Sequence, residues 1–286
     1  MKKLFLLMTA FAIIAGLAGC AQPTPAANQS SGQAPAPTTP ANPLVRMSTT
    51  TSVNDAGLLP FLQPYFEKET GYKLEITSAG TGAAIEKGRK GDADLLLVHS
   101  KAQEETFVNE GFEEKRVPFM YNFFVIVGPK DDPAGVKNTK TAVDAFKAIL
   151  AARAKFVTRG DKSGTNTAEM NIWKAAEIDP TGTQWYVNIG GGMGQALTTA
   201  SEQQAYTLSD KATFLATKTE LVIVLGESDD MKNTYSLIAV TPKRFNDTNY
   251  EGAMAFITWV TSQRGLDLIA QFGKEKYGQS LFMVIK

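Results

Sequence analysis

Apolar residues along this chain recur in two rhythms. A helical spacing places Leu58, Leu59, Leu62, Tyr65 and Phe66 on one face and predicts a helix over 55–70, which Gly71 ends. Similar spacing predicts helices over 83–90, 101–110, 141–154, 167–177, 193–202, 252–260 and 266–272. Between them, short alternating or apolar runs predict strands over 44–48, 72–77, 94–98, 123–127, 155–158, 221–225 and 235–240. The run over 94–98 is apolar beyond Asp94, as in a parallel strand buried on both faces. Strands alternating with helices predict an α/β fold of mostly parallel sheets flanked by helices. No repeat of fixed period interrupts this order.

The amino end follows a different pattern. Lys2 and Lys3 precede an almost wholly apolar run over 4–17, which is too short to span a bilayer but has the length of an export signal. It ends in Leu17-Ala18-Gly19-Cys20, which resembles a lipobox, where cleavage before the cysteine leaves a lipid on its sulfur. Residues 1–19 are therefore expected to be a signal peptide and Cys20 a lipidation site. Residues 21–43 hold no charge and no aromatic ring, so they cannot bury enough apolar surface to offset their ordering entropy. The segment over 20–43 is read as a lipidated cysteine and flexible tether, and the folded part as 44–286. These features predict an exported protein, anchored on the periplasmic or cell-surface side of a membrane.

Charge narrows the function classes. The chain has 29 basic and 29 acidic residues, and loss of Lys2 and Lys3 with the signal leaves a slight acidic excess. No basic patch invites nucleic acid. Cys20 is the only cysteine and His99 the only histidine, so no intramolecular disulfide and no usual zinc site can form. His99 follows a buried strand and is read as packing or hydrogen-bonding locally. In Gly160-Asp161-Lys162-Ser163-Gly164 the serine falls one position too late for a nucleophile elbow. Gln195 spoils the dinucleotide pattern in the run over 190–195. No catalytic residue, metal centre or cofactor is expected. Arg159-Gly160-Asp161 spells the cell-adhesion tripeptide and is read as chance; a hydrolase, or a structural or adhesive lipoprotein, remains as the remote alternative.

Four polar runs stand where strands end and helices begin: 48–52, 78–82, 158–166 and 190–194. Helix starts leave backbone N–H groups unpaired and carry partial positive charge. Glycines allow close approach, and hydroxyls add donors or cap the helix. Such a set suits an anion, at the position where α/β sheets hold ligands. Each run alone is also what helix capping requires. The third run adds Arg159, whose planar donors match an oxyanion. The candidate ligand-binding residues are Thr50, Thr51, Ser52, Thr81, Arg159, Ser163, Gly164, Thr165, Gly192, Met193 and Gly194.

Several segments together resemble the tungstate-binding proteins of bacterial ABC importers over 44–282. They are Thr49-Thr50-Thr51-Ser52 with Asp55-Ala56-Gly57-Leu58-Leu59, then Gly80-Thr81-Gly82, then Gly91-Asp92-Ala93-Asp94 through Val98-His99. Val125-Ile126-Val127-Gly128-Pro129-Lys130, Arg159-Gly160-Asp161 with Ser163-Gly164-Thr165, and Trp185-Tyr186 leading to Gly192-Met193-Gly194 complete the set. The resemblance implies a type II periplasmic-binding-protein fold closing on its anion between two lobes. It implies that Thr50, Thr51, Ser52, Arg159 and Thr165 bind the oxyanion, with Gly192 to Gly194 nearby. Lobe I is expected over 44–121 plus 235–286 and lobe II over 122–234.

The chain departs from the family pattern at Lys162 and Asn166, where an aspartate and a histidine are usual, at Phe123, and around Val187-Asn188. The resemblance implies a monomer that carries tungstate, or molybdate, to a membrane permease. Phosphate and sulfate are the competing ligands. Phosphate keeps a proton at neutral pH and wants an acceptor, which Asp161 could supply unless it pairs with Arg159.

Overall fold

Chain order in the computed structural model, which describes residues 40–113 and 115–285, follows the alternation of strands and helices. The expected signal over 1–19, Cys20 and most of the tether lie outside the described residues. The first part runs β1 (Leu44–Thr50), α1 (Thr51–Asp55), α2 (Leu58–Thr70), β2 (Lys73–Ala79), α3 (Thr81–Lys90), β3 (Leu95–Val98) and α4 (Lys101–Asn109). The middle runs β4 (Val117–Gly128), α5 (Ala142–Ala151), β5 (Phe156–Thr158), α6 (Gly164–Ala175), β6 (Tyr186–Asn188), α7 (Met193–Glu202), β7 (Thr207–Asp210), α8 (Lys211–Ala216) and β8 (Val222–Leu225). The chain closes with β9 (Lys232–Ala239), α9 (Tyr250–Thr261), α10 (Gln263–Gln271), α11 (Lys274–Tyr277) and β10 (Met283–Val284).

Local chemistry explains several boundaries. The helix expected over 55–70 is two helices, because Gly57 takes φ +86° between them. Gly71, also left-handed, ends α2 with its N–H on the Glu67 carbonyl. Helix α6 starts at Gly164 rather than at 167, since the Ser163 hydroxyl caps it by accepting from the Asn166 N–H.

The α/β layering stands, but the sheets are mixed rather than mostly parallel. Strands β2, β1 and β3 are parallel neighbours, joined through helical crossovers, and β5 pairs with β6 in parallel. Strand β9 runs antiparallel to β3 and β4, and β7, β8 and β10 all run antiparallel to β4. The departure has one cause: β4 and β9 are long return strands, not βαβ units. Residues 117–123 of β4 pair with β9, whereas Phe124 onward pair with β7 and β8.

Side-chain alternation divides the core. In β3, Leu95 and Leu97 face one cluster with Leu58, Phe66, Phe256 and Trp259, while Leu96 and Val98 face another with Ile85 and Phe107. In β4, Phe124 and Ile126 join Phe146, Phe156 and Trp173, while Val125 and Val127 join Val157 and Leu197. Both strands are therefore covered on both faces, which is why they read as apolar throughout.

Asn42 and Pro43, at the end of the expected tether, are tied to this frame. The Pro43 carbonyl accepts from the Lys73 N–H, and the Asn42 carbonyl from the Asn249 amide. Asn249 is buried; its Oδ1 caps α9 at the Gly252 N–H and its Nδ2 also donates to the Leu44 carbonyl. Asn249→Ala should therefore cost about 1–2 kcal/mol, seen as a lower urea midpoint with an unchanged slope.

Candidate functional site

The polar runs converge because β1, β2 and β5 all deliver their carboxyl ends to helix starts. Thr50 and Ser52 are buried at the β1–α1 junction, with hydroxyls 3.3 Å apart; Thr51 is half-buried. Thr81 opens α3 and is fully buried. Ser163, Gly164 and Thr165 open α6 and are buried too. These starts come together: the Gly80 position faces the Ser163 backbone, and a methyl built on Gly164 would lie 2.9 Å from Thr81 Oγ1. The buried hydroxyls of Thr81 and Thr165 have no hydrogen-bond partner. A buried polar atom without a partner costs free energy, so these two hydroxyls are candidates to hold a ligand.

Arg159 is only 4% exposed and lies beside this set. Its Nη2 donates to Asp161 Oδ2 at 2.6 Å and its Nε to the Gly191 carbonyl at 3.4 Å. Burial pushes Asp161 up, but the Ser163 hydrogen bonds and the Arg159 charge outweigh it and hold the carboxyl below its ordinary value. Both Asp161 oxygens are occupied, one by Arg159 and one by the Ser163 N–H. The sequence left two roles open for Asp161, and pairing with Arg159 is the one found.

The fourth run serves differently. The Gly191 N–H donates to the Arg159 carbonyl, so this loop braces the arginine strand. Gly160, at φ +64°, must lack a side chain, since a methyl there would fall 1.9 Å from Asn188 Oδ1. Gly192 and Gly194 are exposed at the start of α7, whereas the Met193 side chain is packed in the core with Val157 and Leu197. Only backbone groups of that turn are open to a ligand.

Beneath the arginine loop, Glu169 accepts from Thr158 Oγ1 at 2.7 Å, Trp173 Nε1 at 3.1 Å and Tyr186 OH at 2.5 Å. Thr158 Oγ1 accepts from Asn166 Nδ2, and Asn166 Oδ1 accepts from the Lys162 N–H. Thus Asn166, one of the departures, fixes the turn. Burial, opposed by these hydrogen bonds, pushes Glu169 up to about 7. The folded chain then holds that proton more tightly than the unfolded chain, whose value is near 4.5. Stability should be full below about 4.5 and fall as pH rises to about 7, by about 1.4 kcal/mol per pH unit at the steepest. Urea unfolding of Glu169→Gln across that window should lack the slope.

A model of the PBP superfamily domain matches residues 24–264. The chain belongs to this superfamily. It is 41% identical to the tungstate-binding protein TupA of Peptoclostridium acidaminophilum, over 99% of this chain and 98% of that protein. Among solved structures, the tungstate ABC transporter protein of Geobacter sulfurreducens is 46% identical, with TM-score 0.74 over 80% of this chain and 98% of that one. The tungstate-binding protein TupA of Desulfovibrio alaskensis is 38% identical, with TM-score 0.76 over 85% and 99%. The PBP fold thus accounts for the mixed sheets and for helix starts that meet across them.

Within this PBP chain, residues that the sequence did not select also face the site. His99, read as packing or hydrogen-bonding locally, does hydrogen-bond, with Nδ1 to Asn233 Oδ1 at 2.9 Å and Nε2 to Ser52 Oγ at 3.4 Å. The Asn233 amide donates onward to Asn122 Oδ1 and Tyr235 OH, both at 2.9 Å. Asp210 is buried nearby, capping α8 with one oxygen while the other has no partner; burial raises its pKa. His99 and Asn233 are separated by 134 positions, so no local spacing announces the pair. Among the described residues no helix is long and apolar enough to cross a membrane, and no cluster of His, Cys, Asp and Glu could hold a metal ion.

Proposed function

We propose that this protein captures tungstate, with molybdate next in preference, between two lobes and delivers it to the permease of an ABC importer. The observation that carries the reading is the convergence of hydroxyls from Thr50, Ser52, Thr81 and Thr165 beside buried Arg159, two of those hydroxyls lacking any partner. Burying a dianion without partners would cost tens of kcal/mol, and each hydrogen bond to a charged group returns about 1.5–3 kcal/mol. A cage of several donors around one guanidinium meets that demand. Thr51, Ser163, Gly164 and the backbone of Gly192 to Gly194 would add donors at its edge. The likeness to proteins named for tungstate binding supports the choice of anion.

Support for two lobes, 44–121 plus 235–286 and 122–234, comes from the partner change in β4 after Phe123 and from the separate core clusters on either side. Closure of one on the other would complete the cage. The apolar run and Cys20 support export and a lipid anchor, which would keep a monomeric carrier beside its permease.

Phosphate gains no acceptor from Asp161, the carboxylate of the third run, because both of its oxygens have partners. Hydrolysis fits less well. Ser52, His99 and Asn233 have the connectivity of nucleophile, base and orienting group. Yet burial first, and then the Arg159 charge, hold the imidazole at about 4 despite the Asn233 bond, far below a useful base at neutral pH.

Calorimetric titration of the full chain with tungstate, molybdate, sulfate and phosphate at one pH tests the reading. Tight tungstate binding supports it. Binding of phosphate alone overturns the ligand, and binding of none overturns the oxyanion role.

A further inference from the structure

We infer that His99 takes up a proton as the oxyanion binds, making the single imidazole of this chain the second cation of the site. The inference rests on the tungstate reading and adds the charge that this reading leaves unbalanced.

The geometry fixes which nitrogen is available. The Asn233 amide nitrogen is committed to Asn122 and Tyr235, so Asn233 Oδ1 acts as acceptor and His99 Nδ1 carries the hydrogen. In the neutral ring Nε2 therefore carries no hydrogen and can only accept, as it does from the Ser52 hydroxyl at 3.4 Å. That nitrogen faces Ser52 Oγ and borders the start of α6, where a methyl on Gly164 would fall 2.7 Å from it and 2.9 Å from the unpartnered Thr81 hydroxyl. It points at the place where the donors converge. A lone pair there repels a fully deprotonated oxyanion, whereas a protonated Nε2 donates to one.

The charges point the same way. Tungstate carries two negative charges, and Arg159 already shares its positive charge with Asp161 at 2.6 Å. Other charged or titratable groups around the ring do not fill the gap. Lys101, Glu105 and Lys232 line a groove that His99 also borders; it opens to solvent, and Lys232 is turned onto the Tyr121 ring at 4.0 Å. Tyr235 packs against the imidazole with the rings tilted 40° and centroids 4.9 Å apart, and buried Asp210 is close enough to Tyr235 to act on it electrostatically. In the arrangement seen here burial, and then the Arg159 charge, hold His99 at about 4 and so neutral at pH 7. A single opposite charge within hydrogen-bonding range favours the protonated ring about ten- to thousandfold, and a dianion acts with twice the charge. The proton comes from solvent and adds to Nε2; no bond to the ligand forms or breaks.

Because the chain has one histidine, tag-free full-length protein labelled at histidine nitrogen gives one imidazole. At pH 7 its ring should be neutral with hydrogen on Nδ1, and tungstate should convert it to the doubly protonated form. Calorimetry in two buffers of different ionisation enthalpy should show uptake approaching one proton per tungstate. His99→Gln should abolish the uptake and weaken binding about tenfold or more. A ring that stays neutral in the tungstate complex overturns the inference while leaving the tungstate reading intact. So does uptake that persists in His99→Gln and disappears in Glu169→Gln, the other buried group that titrates near neutrality. Absence of any tungstate binding overturns the underlying reading instead.

Discussion

Arg159→Ala is expected to weaken tungstate binding by about a hundredfold or more at neutral pH. A hydrogen bond to a charged group is worth about 1.5–3 kcal/mol, which alone gives about ten- to hundredfold. Truncation does further harm, because Asp161 keeps the Ser163 N–H but loses the Arg159 charge, leaving an uncompensated carboxylate beside the incoming dianion. Breaking a buried pair by removing one member typically costs about 3–5 kcal/mol for that reason. The two contributions separate in a double variant. Arg159→Ala with Asp161→Asn should recover part of the lost affinity, since the repulsion goes while the missing donor stays missing. Arg159→Lys should fall between, keeping charge without the planar fork. Titration calorimetry on the folded variants measures all three. Arg159→Ala with the affinity of the parent chain would remove Arg159 from the site.

Much of this site was legible because its donors are local. Thr81, Ser163 and Thr165 announce themselves as hydroxyls beside glycines, and Thr50 and Ser52 as part of a hydroxyl run, where one period gives way to another; that is where they sit. Helix starts were placed late, at 83 and 167 instead of Thr81 and Gly164, because glycine and capping residues look like loop until the cap closes. The wiring between distant segments was not legible. His99 meets Asn233, and Asn233 meets Asn122, only because β3, β9 and β4 lie side by side. Strand direction was hidden for the same reason. Alternation reports which face is buried, not which way the neighbour runs, so the strands of β4 and β9 are legible but their antiparallel direction is not. Within β4, Pro118 and an irregular register before Met120 blurred the pattern, and only its apolar end was recognised. The β7 run Thr207-Leu208-Ser209-Asp210 is polar and short, so neither it nor Asp210 stood out.

Gly164→Ala is expected to weaken tungstate binding about ten- to hundredfold while leaving the ligand-free protein as stable as before. The added methyl would stand 2.2 Å from His99 Cε1, 2.7 Å from its Nε2 and 2.9 Å from Thr81 Oγ1, so something must move. The imidazole cannot swing freely, since Asn233 holds its far nitrogen. Thr81 is buried at the start of its own helix. The remaining relief is separation of α6 from β3 and α3, which on the two-lobe reading is opening of the cleft. Overpacking of this kind costs about 1–3 kcal/mol, and only the closed form bears it. On the same two-lobe reading the open form would be free of this contact, and alanine suits a helix at least as well as glycine. Thermal unfolding should therefore give an unchanged midpoint without ligand and a smaller upward shift with it. A hundredfold loss of affinity would remove roughly 2.7 kcal/mol of ligand stabilisation at saturating tungstate. Removing the ring should remove the clash, so Gly164→Ala should add little to the loss already caused by His99→Ala. If Gly164→Ala binds tungstate as the parent does, His99 and α6 do not come together in the bound form, and the closing contact must lie elsewhere.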